Sequence, residues 1–452
     1  MQQKNNMDTH SYQSPLSTRY ASEEMSHLFS EYYRTVLWRQ LWVALAKAEQ
    51  QLGLDITNEQ IEEMEAHIST IDFETISAYE KQLHHDVMAH IHAFADQCPK
   101  AKPIIHLGAT SCYVTDNSDV MRMREGLEII AKKLTIVIEQ LAAFAQHHAA
   151  TPCLAFTHFQ PAQPTTVGKR ACLWIQDLLL DIRDLNYRQK NIHFLGAKGT
   201  TGTQASFLSL FSGDGDKVKK LDDLIAEFMG FSHVFTISGQ TYTRKQDIHI
   251  IDVLSGIAVS THKFATDLRL LAHLREMAEP FAEKQVGSSA MPYKRNPIYA
   301  ERICSLARFV IALSDNPKYT AATQWLERTL DDSANRRLSI SESFLATDSI
   351  LNIMIMITKD LVVDTDIMQQ RLQQELPRLA TENILMAAVK KGGDRQQLHE
   401  RLRVYSQQGN LLELIADDVD FNLSQDELNA ILNITDFIGR APQQVSEFLA
   451  TL

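Results

Sequence analysis

The chain runs to 452 residues, 44% hydrophobic and 22% charged, and its 44 basic and 56 acidic side chains leave a formal net charge of −12. A chain of that length can bury a sizeable core in two or three domains. The acidic balance argues against binding along a nucleic-acid backbone, which asks for a basic face, and leaves open a small anionic ligand held by locally gathered arginines.

Five cysteines (Cys98, Cys112, Cys153, Cys172 and Cys304) are scattered, odd in number and form no C-x-x-C. That pattern favours reduced thiols over a disulfide frame or a zinc site. The start, Met1-Gln2-Gln3-Lys4-Asn5-Asn6, lacks the apolar stretch of a signal peptide. No apolar run approaches the roughly 20 residues that span a bilayer. A cytoplasmic location with no membrane partner is the expectation.

Residues 1–15 read as a loose polar start, followed by Ser17-Thr18-Arg19-Tyr20 and a helix. Tyr33, Leu37, Leu41, Leu45, Ala48 and Leu52 recur at steps of three and four, and Gly53 can end that helix. Thr57-Asn58-Glu59-Gln60 is a capping box for the next one. His84-His85-Asp86-Val87-Met88-Ala89-His90-Ile91-His92 holds four histidines in nine residues. No pair is spaced i,i+4 and H-E-x-x-H is absent, so the spacing is wrong for a metal. His106 to Tyr113 is a loop rich in hydroxyls, including Thr110 and Ser111, with Thr115, Asp116 or Asn117 as caps for the helix after it.

That helix is long. Val120, Met123, Leu127, Ile130, Leu134, Val137, Leu141 and Phe144 alternate steps of three and four. This 3.5-residue repeat is the pattern of bundle packing, and Ile129, Ile136 and Ile138 widen the stripe so that it needs several partners. Phe156-Thr157-His158-Phe159-Gln160-Pro161-Ala162-Gln163-Pro164 breaks the pattern around one histidine. Val167 to Leu185 and Ile248 to Leu274 are further long helical patterns. Between them, Gly196 to Gln204 is glycine-rich but lacks G-x-G-x-x-G and the Walker ending, which argues against a nucleoside triphosphate. Ser232–Thr236 is at best a short strand. Arg302 sits on a helix, and Glu327 to Arg337 reads by composition as a solvated charge cluster. From about 365 the helices shorten, punctuated by Pro377, Gly392-Gly393 and Gly409. The expected fold is all-α in three helical domains: 1–111, a central bundle of very long helices over 112–364, and a small domain over 365–452.

The most informative stretch is Gly287-Ser288-Ser289-Ala290-Met291-Pro292-Tyr293-Lys294-Arg295-Asn296-Pro297. Its prolines exclude a helix, and Gly287 offers a point to move about. The string resembles the signature loop of the fumarase/aspartase superfamily, whose members break C–N or C–O bonds and release fumarate. Its Tyr293-Lys294-Arg295-Asn296 form is similar to the adenylosuccinate lyase family of the animal type. The resemblance runs from about Arg19 to Val445 and includes the His158 string and the Phe437–Val445 region.

The resemblance implies fumarate release from adenylosuccinate and from the succinylated imidazole carboxamide ribotide of purine synthesis, with no cofactor and no metal. It implies Ser288 as general base, His158 as general acid, His85 orienting the substrate, and Lys294, within the loop, holding the dianionic carboxylate together with Asn296. It implies substrate contacts at Arg19, Tyr20, His84, Asp86, Thr110, Ser111, Gln240, Asn296, Arg302, Arg328, Ser333 and Arg337. The arginines suit two carboxylates and a phosphate. Histidine at 84 departs from the arginine expected there, and the tail ends early. The family also implies a homotetramer whose sites are shared between chains. A helix of about 30 residues is about 45 Å long, so connections at its two ends cannot meet within one chain. The rival readings are another fumarate-releasing lyase, such as argininosuccinate lyase, and a catalytically silent structural homologue.

Overall fold

A computed structural model describes residues 10–282, 285, 287 and 289–452. Side-chain caps set the first helices. The Ser22 hydroxyl accepts the Met25 N–H at the start of α1 (Glu23–Leu28), and Ser30 does the same for α2 (Glu31–Gln51). The expected capping box of Thr57 and Gln60 opens α3 (Asn58–Ala66). α4 (Phe73–Leu83) ends on the left-handed residue His84, and the His85 ring caps α5 (Asp86–Gln97).

The repeat from Val120 onward becomes α6 (Ser111–His147), a helix of 37 residues. Val120, Met123, Leu127, Ile130, Leu134, Val137 and Leu141 are all fully buried on it. It begins earlier than expected, so Thr115, Asp116 and Asn117 lie inside the helix rather than capping it. The break around His158 is an antiparallel hairpin, β1 (Pro152–Thr157) and β2 (Gln160–Thr166). Then come α7 (Val167–Lys190), α8 (Ala205–Leu210), α9 (Gly215–Phe228) and α10 (Lys245–His273). The proposed short strand at Ser232–Thr236 is a single bridge, Phe194 to Val234. β3 (Met277–Ala278), α11 (Ile298–Leu313), α12 (Asn316–Ala322), α13 (Asp332–Lys359) and β4 (Val362–Val363) complete the middle of the chain, with β3 and β4 paired antiparallel. Six shorter helices close it: α14 (Thr365–Leu379), α15 (Thr381–Lys390), α16 (Arg395–Tyr405), α17 (Leu411–Asp417), α18 (Gln425–Ile431) and α19 (Ala441–Leu449).

The chain divides into two compact units. The first gathers Met1–Thr135, Leu180–His262 and Ile303–Ile353. In it, Trp38, Leu41 and Trp42 of α2 are buried, and α6 approaches α13 closely at Gly126. A Cβ there would stand 2.7 Å from the Phe344 ring, so a larger residue would push the helices apart. The second unit gathers Ile136–Leu179, Lys263–Arg302 and Met354–Leu452. Here α14 and α19 pack on the hairpin, and Ile384, Leu398, Ile415, Phe421 and Leu428 make the core of the C-terminal helices.

α13 corrects one expectation. By length and composition it can span a bilayer, with a mean hydropathy of 1.4 over an 18-residue window. That window is 72% buried inside the protein, which makes α13 a core helix. Its hydroxyls hid the run: Ser343, Thr347, Ser349 and Thr358 bond back to carbonyls four residues earlier and so enter the core without unpaired O–H groups.

Candidate active site

A cavity of about 430 Å³ in the first unit collects residues from distant parts of the sequence. One wall is the corner between α4 and α5. His84 turns the chain with φ 50°, a left-handed conformation that histidine tolerates better than most side chains. His85 follows, and its Nδ1 accepts the Met88 N–H at 3.2 Å. That bond leaves the ring proton on Nε2. The Asp86 carboxylate lies 3.3 Å from Arg337, 3.8 Å from Arg34 and 3.5 Å from the His90 ring.

A second wall is the start of α6. Ser111 is the first helical residue, and the Thr110 carbonyl accepts the Tyr113 N–H at 2.8 Å. Buried Cys112 donates its thiol proton to Gln240 Oε1 at 3.3 Å. Burial and then Asp116 push that thiol up to about 12, so it stays protonated and acts as a donor. Gln240 Nε2 in turn donates to the Thr200 carbonyl at 2.9 Å, and its N–H to Glu327 at 3.0 Å. Gln240 therefore ties the glycine-rich loop to the segment that carries Arg328. Gly202 and Gly239 are needed where these loops touch, since a Cβ would stand 2.0 Å from the Ser238 carbonyl and 2.5 Å from that of Glu327. Asn117, fully buried, takes the N–H groups of Leu195 and Gly196 and gives its own to the Gly196 carbonyl.

Beneath these walls lies a layer of ion pairs. Arg244 spans Asp116 and Asp332 at 2.8 Å each. Arg328 reaches the other Asp332 oxygen at 2.8 Å. Arg336 spans Asp119 and Asp247, also at 2.8 Å, and donates to the Tyr242 hydroxyl. Burial would raise Asp119, but Arg336 and Arg122 outweigh it and bring the carboxyl down to about 2. Losing one partner of such a buried pair costs about 3–5 kcal/mol. Arg244 and Arg336 are spent on this layer, whereas Arg337 is 59% exposed at its side chain.

Of the residues singled out in the sequence, His84, His85, Asp86, Ser111, Gln240, Arg328, Ser333 and Arg337 line this cavity. Thr110 adjoins it in sequence without lining it. Arg19 and Tyr20 do not line it either; they form a short helical turn with the guanidinium 5.9 Å from the ring. Sequence reasoning missed Arg34, Cys112, Asp116, Asp119, Arg122, Arg244, Asp332 and Arg336. A signal existed for some of them. Asp116, Asp119 and Arg122 stand at steps of three beside the apolar stripe of α6, and Arg336 and Arg337 point different ways because successive helical residues differ by about 100°.

His158, Lys294, Asn296 and Arg302 belong to the second unit. Thr157 pairs with Gln160, which leaves His158-Phe159 as a two-residue turn with φ 53° and 56°. Both residues are left-handed, the type I′ geometry that usually takes Asn-Gly. A non-glycine residue held there costs about 1–3 kcal/mol, and the turn presents the imidazole on an exposed tip. The loop before α11 is pinned at its base. The buried Glu279 carboxylate accepts the Tyr299 and Ala300 N–H groups at 3.2 and 3.0 Å. Asn296 donates to the Gly287 carbonyl at 2.9 Å. Gly287 serves close backbone approach: a Cβ there would stand 2.0 Å from the Lys294 carbonyl, so the position requires glycine. Lys294 is exposed, and Arg302 on α11 lies 5.8 Å from the Tyr299 ring. Ser288 lies outside the described residues.

A family model described as Lyase matches residues 17–312, and one described as Adenylosuccinate lyase C-terminus matches residues 377–448. Adenylosuccinate lyase of Saccharomyces cerevisiae is 50% identical over 98% of this chain and 95% of its own, and that of Schistosoma mansoni is 48% identical over 97% and 94%. The 3-carboxy-cis,cis-muconate lactonizing enzyme of Pseudomonas putida shares the fold with a TM-score of 0.86 at 23% identity, covering 96% of this chain and 98% of its own. The chain belongs to the adenylosuccinate lyase family.

Proposed function

We propose that the protein is an adenylosuccinate-cleaving enzyme that releases fumarate to leave AMP, and that it acts likewise on the succinylated imidazole carboxamide ribotide. The observation that carries this reading is the cavity, where Ser111, Gln240, Arg328, Ser333, Arg337 and the His84–Asp86 corner converge. It is rich in guanidinium groups within a chain of net charge −12, as a ligand with two carboxylates and a phosphate demands.

Elimination begins with removal of the proton on the succinyl Cβ. We assign that step to the Ser288 oxygen as general base, aided by the Lys294 charge. The electron pair moves onto the adjacent carboxylate, where Asn296 and nearby hydroxyls hold it. When the pair returns to form the C=C bond, the Cα–N bond breaks and His158 gives its proton to the leaving nitrogen. His85 orients the substrate from the cavity wall. No cofactor enters the scheme.

The assembly we propose is a homotetramer in the cytoplasm, serving purine and AMP biosynthesis, with the domain boundaries at 111 and 364. Its support is geometric. α6 opens with Ser111 and is followed by the His158 hairpin, and a helix of its 37 residues is about 55 Å long. α7 also exposes Leu173 and Leu180, seven residues apart, an apolar edge suited to another helix. The test is to offer the purified protein adenylosuccinate, the imidazole ribotide and argininosuccinate in turn. Fumarate from the first two supports the reading. Fumarate from argininosuccinate alone supports the rival lyase, and none from any supports a silent scaffold.

A further inference from the structure

A second cleft, of about 330 Å³, lies in the first unit between the end of α7 and the start of α10. It shares no lining residue with the cavity described above. Its size falls at the lower end of the range for small-molecule sites.

One wall is aromatic and held in place. The His193 ring stands 5.0 Å from Phe235 and stacks on His233 at 5.2 Å. Phe235 is backed by buried Tyr242, parallel to it within 5°. The Gln246 side chain clamps the His193 backbone at both ends, accepting its N–H at 2.8 Å and donating to its carbonyl at 3.0 Å. The bridge between Phe194 and Val234 fixes the two segments together. Such a wall costs little further ordering when a flat ring is laid against it.

The rim is cationic. Arg188 and Lys245 line the cleft with His249, and no carboxylate is among the lining residues. Asp252, which acts on His249, is itself paired with Lys318 at 3.5 Å. Arg188 and Lys245 both bear on His249, which burial and these two charges hold below its ordinary value. In a chain of net charge −12, an acid-free cleft joining a fixed aromatic wall to two cations is built for an aromatic group carrying phosphate.

We propose that this cleft binds a nucleoside phosphate, with the base against His193 and Phe235 and the phosphate on Arg188 and Lys245. The test uses the full-length protein and ATP as the probe, with binding read by equilibrium dialysis. ATP also resembles the AMP half of the substrate, so Arg328→Ala serves as the background that weakens the first cavity. We expect ATP to bind the Arg328→Ala protein and to bind at least about tenfold more weakly once Phe235→Ala or Lys245→Gln is added. Fumarate release by the Phe235→Ala and Lys245→Gln single variants should stay within about twofold of the parent. Absence of ATP binding in the Arg328→Ala protein overturns the proposal, as does binding that neither added substitution weakens. Dialysis needs no turnover, so this outcome is independent of whether the protein cleaves adenylosuccinate.

Discussion

The Arg337 guanidinium on α13 meets the Asp86 carboxylate at the start of α5, 3.3 Å away and 251 residues distant in sequence. The pair stands at the surface of the cavity, with Arg337 largely exposed, so it contributes less than about 1 kcal/mol to stability. Its value lies in holding a planar, bidentate donor where an anion can take over from Asp86.

Arg337→Lys should therefore separate binding from folding. A lysine keeps the charge and loses the fork. We expect KM for adenylosuccinate to rise at least about tenfold while Tm moves by no more than a few degrees. Steady-state kinetics and a melting curve check this. An unchanged KM would remove Arg337 from the anion site.

Gly287→Ala should damage the loop without touching a reactive group. The new methyl meets the Lys294 carbonyl at 2.0 Å, and the Asn296 bond to Gly287 must shift with it. Turnover should fall about 100-fold, as a displacement near 1 Å can cause, with the global fold intact by circular dichroism. Near-normal turnover would mean that the close approach is not required in the working enzyme.

Much of this was legible in the sequence, for identifiable reasons. The 3.5-residue repeat on α6 stood out because its apolar positions, Val120 to Phe144, recur at steps of three and four without a break. α13 did not, because Ile340, Phe344, Leu345, Ile350, Leu351, Met354 and Ile357 bury several faces of the helix and its first turn is charged. The His158 hairpin read only as a break, since two prolines mask strand alternation. Arg328, Ser333 and Arg337 entered through family resemblance. The layer beneath them depends on tertiary pairing between Asp116 and Arg244, 128 residues apart, which no local pattern encodes.

Glu49 offers a pH test of the core. It is fully buried on α2, its carboxyl oxygens have no hydrogen-bond partner among the described residues, and burial raises its pKa to about 9. The folded state keeps a proton that the unfolded chain releases near pH 4.5, so this group lowers stability progressively as pH rises from 4.5 to 9. Glu49→Gln removes the penalty. Denaturant melts should show the variant more stable at pH 8, on the order of 5 kcal/mol, and within about 1 kcal/mol of the parent at pH 5. An equal gap at both pH values would contradict the buried neutral acid.

The shared sites proposed above predict complementation. Each of the inactive variants His158→Ala and Ser288→Ala should regain part of its activity when the two are mixed, dissociated gently and reassembled. Verified mixed tetramers as inactive as both parents would place His158 and Ser288 of each site on one chain.

The most direct measurement tracks both products of one reaction. Purified protein and adenylosuccinate are incubated without added cofactor, and fumarate and AMP are quantified together. The account predicts equal amounts of the two, formed by the parent and lost in Ser288→Ala protein that still binds adenylosuccinate. Fumarate without AMP, no product at all, or undiminished turnover in the Ser288→Ala protein would contradict it.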